Sequence, residues 1–290
     1  VGPITVEVTF AEPDGMTSSL SWDEDRLLVS SGNAVLRTGG DLTLEALSGD
    51  SVPDVLSVTG HLRLAATGHL SLLGNTTVTD GSTHLTAGGN ATLDGTYDQS
   101  SGDSTDTFLL EADGAFTQGT GSTLTTVNLD AILDAGGVLT GNEIAVGTAS
   151  LALTSGADLL RQAATDGTLE TARASATGGT THLTAAALRL EAAGTIGSVA
   201  DPLEIAPTTL TASAGETLRL DAAGAVTVDG VAVTAHAVSL TGDATATDRT
   251  ESAQADVRST AAGDVLLVVD GVLTLRDGDA DGIAVATGTT

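Results

Sequence analysis

One short motif constrains this chain more than any other feature. It is an apolar–polar–apolar triplet that returns about every eight residues, with Gly, Asp or Asn between its copies. Leu62-Arg63-Leu64, Leu70-Ser71-Leu72 and Ala91-Thr92-Leu93 show it in full, and Thr76-Thr77-Val78 and His84-Leu85-Thr86 lie between them at the same spacing. Alternation with period two puts one set of side chains on a buried face and the other in solvent, the pattern of a half-buried β-strand. Nine Asp-Gly pairs punctuate the chain, among them Asp80-Gly81, Asp94-Gly95, Asp229-Gly230 and Asp270-Gly271. They read as turns, because Gly accepts positive φ and Asp bonds its own turn backbone.

A strand and turn of this size cannot bury a core alone, so neighbouring units must cover one another. The core they can build is limited by composition. Aromatics make up 2% of the 290 residues, and none follows Phe116. Leu, Val, Ile and Ala must fill the interior, which suits a thin core of similar stacked layers. The expected fold is therefore all-β, a β-solenoid whose irregular rungs each hold two or three strands. Tandem antiparallel β-sandwiches are the alternative, since their strands have similar spacing. Sandwiches usually carry a central Trp or Tyr, and this chain has only Trp22 and Tyr97. The expected organisation is an N-terminal strand or cap over residues 1–20, repeats over 21–264, and C-terminal strands with an acidic turn over 265–290. Polar inserted loops are expected near 97–107 and 241–261, and a short helical excursion within 157–176.

Imperfect repeats support the stacked reading. Leu62–Gly68 reads LRLAATG, Leu188–Gly194 reads LRLEAAG and Leu218–Gly224 reads LRLDAAG. Thr83–Ala87 (THLTA) returns as Thr181–Ala185. The stretch Gly194-Thr195-Ile196-Gly197, with Pro202-Leu203-Glu204-Ile205, leads into Leu210–Gly215 (LTASAG) and Leu218–Val226. This wording, over about residues 183–240, resembles filamentous-haemagglutinin-like surface proteins. The resemblance implies a right-handed parallel β-helix, export from the cell, and a role in adhesion, matrix or filaments. It brings no catalytic residues, and the secretion domain typical of that family's N-terminus is not recognisable here.

Charge narrows the partners. Asp plus Glu number 38 against ten basic residues, giving a formal net charge of −28. Such a field repels nucleic-acid phosphates and anionic membranes and attracts cations. There is no cysteine, hence no disulfide and no thiolate metal site. No apolar run approaches the length of a membrane-spanning helix. The chain starts at Val1 and reads as a processed chain or a piece of a longer one. The expected location is extracellular, at the cell surface, with self-association or neighbouring repeats of the same protein as partners. A cell-surface glycan is the alternative partner.

Candidate sites are few. Asp277-Gly278-Asp279-Ala280-Asp281-Gly282 sets three Asp at alternate positions before a Gly, like the first half of a calcium loop. Asp277, Asp279 and Asp281 are the expected calcium ligands, against the reading of a solvated acidic turn. Position 12 of that loop is Gly288 rather than an acid. Ile4, Val6, Val8 and Phe10 alternate with polar residues between Pro3 and Pro13. They mark a strand that either caps the module or adds to a neighbour's sheet edge. Trp22-Asp23-Glu24-Asp25 reads as a solvated loop with one aromatic anchor. His61, His69, His84, His182 and His236 have no zinc spacing and read as surface or ladder residues. Asn75 and Asn90 head glycosylation sequons. A polysaccharide-active enzyme on a β-helix is the remote alternative. Against it, Lys is absent and Arg is scattered, and no phosphate loop or nucleophile elbow occurs. A non-enzymatic, structural function is expected.

Overall fold

A computed structural model gives the fold. It describes residues 4–11, 17–24, 27–29, 33–45, 54–100, 103, 105–161, 182–198, 200–240, 244–261, 263–276 and 285–287. An antiparallel pair comes first, β1 (Ile4–Ala11) and β2 (Thr17–Glu24). Parallel layers follow. The first holds β3 (Leu27–Val29), β4 (Ala34–Thr38) and β5 (Leu42–Glu45). The second holds β6 (Asp54–Thr59), β7 (Leu62–Ala66) and β8 (Leu70–Leu73). The third holds β9 (Asn75–Thr79), β10 (Thr83–Ala87) and β11 (Ala91–Leu93). The fourth holds β12 (Thr96–Ser100), β13 (Phe108–Ala112) and β14 (Phe116–Gln118). The fifth holds β15 (Thr123–Val127), β16 (Ala131–Ala135) and β17 (Leu139–Gly141). The sixth holds β18 (Glu143–Ala145), β19 (Ser150–Ser155) and β20 (Leu159–Arg161).

Beyond these the layers merge. The long strands β21 (Leu183–Ala192) and β22 (Leu203–Ala214) each take two strand positions. After them come β23 (Leu218–Ala222), β24 (Val226–Val228), an antiparallel pair β25 (Val231–Val238) and β26 (Ala244–Gln254), then β27 (Val257–Ser259). The chain finishes with β28 (Val265–Val269), β29 (Leu273–Leu275) and β30 (Val285–Thr287).

One interior ladder shows what holds the stack. Leu36, Leu64, Leu85, Leu110, Leu133, Leu153, Leu190, Ala212 and Val257 succeed one another in parallel register, all buried. Like side chains repeat their contacts from layer to layer, so a core with few rings still packs without gaps. Tyr97 and Phe108 meet edge to face at 5.2 Å inside it, and the Tyr97 hydroxyl lies 2.6 Å from Thr83 Oγ1. The ladder runs out at β30, where Val285 beside Val257 is 43% exposed, and the column through β24 runs out at β29, where Leu273 and Leu275 are 42% and 52% exposed.

This arrangement corrects the expected right-handed parallel β-helix with irregular rungs, and with it the tandem antiparallel sandwiches. Twenty strands form one continuous sheet bent round the apolar interior like a barrel wall, and β20, β17, β14, β11, β8 and β5 form a second, six-stranded sheet. All the pairings in both are parallel, which removes the sandwiches. Continuity has a local cause. Earlier layers break at turns such as Gly60-His61 and Asp80-Gly81-Ser82. Ala185-Ala186-Ala187 and Ala206–Leu210 carry no Gly or Asp, so β21 and β22 run through the bend and join strands that would otherwise lie on separate faces. No helix occurs among the described residues. Leu159–Arg161 of the proposed helical stretch is strand β20, and residues 162–176 lie outside the described residues.

Both expected loop regions are in part strand. Tyr97 lies in β12 and is buried, because its alternation partner Gln99 also points inward and donates to Gly81 O and Thr107 O. Residues 241–261 contain β26 and β27. The position of β25 and β26 explains this. Thr209–Leu210 of β22 pairs with Thr227–Val228, and Ala212–Ala214 pairs with Val257–Ser259. The antiparallel pair is thus looped out of the middle of what is one strand in the layer below. It forms a strap lying across the outer face of the parallel sheet.

Candidate functional site

The outer face beneath the strap concentrates charge. Strands β7, β10, β13, β16, β19 and β21 lie side by side, and each offers two outward positions. The first series runs Arg63, His84, Leu109, Ile132, Ala152, Arg189. The second runs Ala65, Thr86, Glu111, Asp134, Thr154, Glu191. Leu109, Ile132 and Ala152 are an apolar stripe in an outward position, and Val231, Val233 and Ala235 of the strap bury it.

The polar groups around that stripe are tied to one another. Arg63 donates to His84 O (3.0 Å), Leu64 O (3.1 Å) and Thr86 Oγ1 (2.9 Å). Burial lowers its pKa to about 10 against the opposing pull of Glu111. His84 Nε2 lies 3.0 Å from Glu111 Oε2. That hydrogen bond is the chief reason the Glu111 carboxyl titrates below its usual range, with burial opposing and Arg249 and Arg63 adding to the fall. Arg249, from the strap, reaches Glu111 Oε1 (3.3 Å), Asp134 Oδ2 (2.5 Å) and Glu251 Oε1 (2.9 Å). Burial pulls the Arg249 pKa down, and these three carboxylates outweigh it. Asp134 moves the other way: burial raises its pKa, and the Arg249 charge offsets only part of the rise. Arg189 completes the row, 2.6 Å from Glu191 Oε2 and 3.4 Å from Glu251 Oε2. A shallow open depression of about 680 Å³ lies beside Arg249, lined by Thr67, Thr86, Gly88, Glu111, Asp113 and Asp134 among others. Its Glu111, Asp134 and Arg249 are committed to one another, so the chemistry on show is charge compensation across layers rather than a poised acid and base.

Four of the five histidines are ladder groups, of two kinds. At one corner His61 N–H donates to Asn33 Oδ1 (2.9 Å), Ser82 N–H to His61 Nδ1 (2.9 Å) and Thr107 N–H to Ser82 Oγ (3.1 Å). At the next, His69 N–H donates to Asp41 Oδ1 (2.7 Å), Asn90 N–H to His69 Nδ1 (2.9 Å) and Ala115 N–H to Asn90 Oδ1 (3.0 Å). Both rings accept at Nδ1, which assigns them the tautomer with hydrogen on Nε2. These columns satisfy turn amides that the strand ladders leave over. The two THLTA copies give the second kind. His84 meets Glu111, and His182 Nδ1 lies 2.9 Å from Glu204 Oε2. His236 Nδ1 lies 2.5 Å from Asp248 Oδ1 within the strap.

The other expected site residues fall as follows. Asp277, Asp279 and Asp281 lie outside the described residues. Among the described residues no group of three or more His, Cys, Asp or Glu is placed to hold a metal ion. Ile4, Val6, Val8 and Phe10 lie in β1, which pairs along its length with β2, Val6 opposite Trp22. That strand lies against β4 and β5 of the first layer. Asn75 Oδ1 accepts Thr96 N–H (3.0 Å), so both sequon side chains bridge layers. Among the described residues no helix is long and apolar enough to cross a membrane. Sequence reasoning missed Arg249 and the strap. The available signal was Val231-Ala232-Val233-Thr234-Ala235, alternating directly after the Asp229-Gly230 turn. No protein-family model, no curated protein and no solved structure matches the chain.

Proposed function

We propose that this chain is an extracellular structural module, a segment or subunit of a surface filament, fibre or large adhesin, and that it works by its shape rather than by catalysis. The interior ladder from Leu36 to Val257 carries this reading. One apolar position is repeated in register through nine strands, and each layer presents its backbone edge to the next. The outer charges support it, since Arg63, Glu111, Asp134, Arg189 and Arg249 are spent on holding layers and strap together. The wording shared with filamentous-haemagglutinin-like proteins over residues 183–240 points the same way. Self-association or contact with neighbouring repeats is the partner this reading names.

Immunogold electron microscopy of the producing cells, with an antibody raised against the purified chain, tests the proposal. Label distributed along surface fibres or a surface layer is expected. Label confined to the cell interior would overturn the location. Turnover of a polysaccharide panel by the purified chain would overturn the non-catalytic reading.

A further inference from the structure

The strap differs from the rest of the molecule in how it is held. β25 and β26 form their own two-stranded sheet, and among the described residues no backbone ladder joins that sheet to the parallel strands beneath it. Their attachment is a small apolar cluster, three residues from each side, and a handful of side-chain bonds. His236 N–H donates to Thr107 Oγ1 (2.7 Å), Arg189 Nε donates to Ser252 O (3.1 Å), and Gln254 Nε2 donates to Leu190 O (3.3 Å). Arg189 also pairs with Glu251 of the strap (3.4 Å), and Arg249 supplies the widest anchor, its guanidinium spanning Glu111 and Asp134 on two adjacent strands of the body. A two-stranded ribbon alone is marginal in water, so its order depends on this docking.

We propose that the strap is a latch, an independently opening unit fastened by Arg249 across Glu111 and Asp134, whose release uncovers the apolar stripe of Leu109, Ile132 and Ala152. Opening severs no rung of the parallel sheet, because β24 and β27 keep their own pairing with β22 on either side of the insertion. The body therefore stays folded while its outer face changes from charged and covered to apolar and open. Elements with few buried contacts and no shared ladder open at lower free energy than the core.

Hydrogen exchange of the full chain, read by mass spectrometry, tests this with Arg249→Met. Amides of β25 and β26 are expected to exchange about tenfold faster or more, the equivalent of one charge-assisted hydrogen bond. Amides of β13, β16 and β19 should be unchanged, and an apolar dye should bind more strongly. Arg249→Lys should fall between the two, keeping charge but losing the two-armed contact. The double variant Glu111→Gln with Asp134→Asn removes the same contacts from the body side and should accelerate the same amides. Unchanged strap exchange in Arg249→Met would overturn the latch. So would acceleration spread equally through β13, β16 and β19, since the strap would then not open on its own. Acceleration in Arg249→Met without any in the double variant would place the fastening elsewhere and also overturn it.

Discussion

At Asp80-Gly81 the two residues of one turn do different work. Asp80 itself takes the left-handed conformation, φ 63°. Gly81 is required for closeness: a Cβ there would meet Gly60 C and O at 2.2 and 2.3 Å. The same holds at Gly156, where a Cβ would lie 2.1 Å from Gly136 O. Turn glycines of successive layers rest on the carbonyls beneath, so their lack of a side chain sets the layer spacing. Gly156→Ala should therefore destabilise by roughly 1–3 kcal/mol through overpacking. Gly40→Ala, with nothing within 4 Å of its Cβ, should be neutral or slightly stabilising. Denaturant midpoints check both, and equal losses would contradict the close-approach argument. Depth in the stack decides the apolar positions likewise. Leu133→Ala, at 0% exposure, should cost about 2–5 kcal/mol. Leu275→Ala, at 52% exposure, should cost about 1 kcal/mol or less.

Among the elements, β21 and β22 and the strap carry what the repeats did not reveal. LRL at Leu62 and at Leu188 falls in the same column, since β7 leads through β10, β13, β16 and β19 to β21. LRL at Leu218 bridges instead to Ile196, in line with β20. The two THLTA copies also occupy different columns, with Leu85 against Leu64 and Leu183 against Ile144. What the copies share is the layer-to-layer His–Glu contact, and that has a pH consequence. Glu111 and Glu204 have folded-state pKa values below the ordinary carboxylate range, held there first by His84 and His182. A lowered carboxylate pKa contributes stability above the unfolded value, and that contribution is lost as pH falls through the folded value. Acidification below the ordinary glutamate range should therefore destabilise the chain. Glu111→Gln and Glu204→Gln should each flatten that acid limb in thermal melts from neutral pH downward. Asp134, raised by burial, has the opposite sign, so Asp134→Asn should not flatten it. An acid limb unaltered by either Gln variant would show that these contacts do not contribute.

For the molecule as a whole, each layer is stabilised mainly by the layers on either side. Interior layers have two such neighbours, whereas among the described residues β28, β29 and β30 pair on one edge only. Amide protection should thus peak in β13, β16 and β19 and fall off towards Leu273–Leu275. Uniform protection by hydrogen exchange would show one global unfolding unit instead. Mainly β circular dichroism with little helix is expected of the same sample.

The sequence by itself determined the strand class, the inward sets such as Leu62/Leu64, Leu70/Leu72, Leu188/Leu190, Leu218/Leu220 and Val226/Val228, and the turn positions. These are local properties, since period-two alternation and Gly or Asp punctuation act over a few residues. Tertiary structure decided which strands became neighbours, because in-register partners lie tens of residues apart and depend on how many residues each layer spends in its turns. It decided that an alanine-rich bend continues a strand, joining twenty of them into one sheet. It also decided the fate of Arg249, which reads as one more charge in a polar stretch. Only after the chain between β24 and β27 folds back over β13 and β16 does it meet Glu111 and Asp134. Charge pairing across such a separation has no periodicity to reveal it; it exists only once packing brings the two segments within a few ångströms.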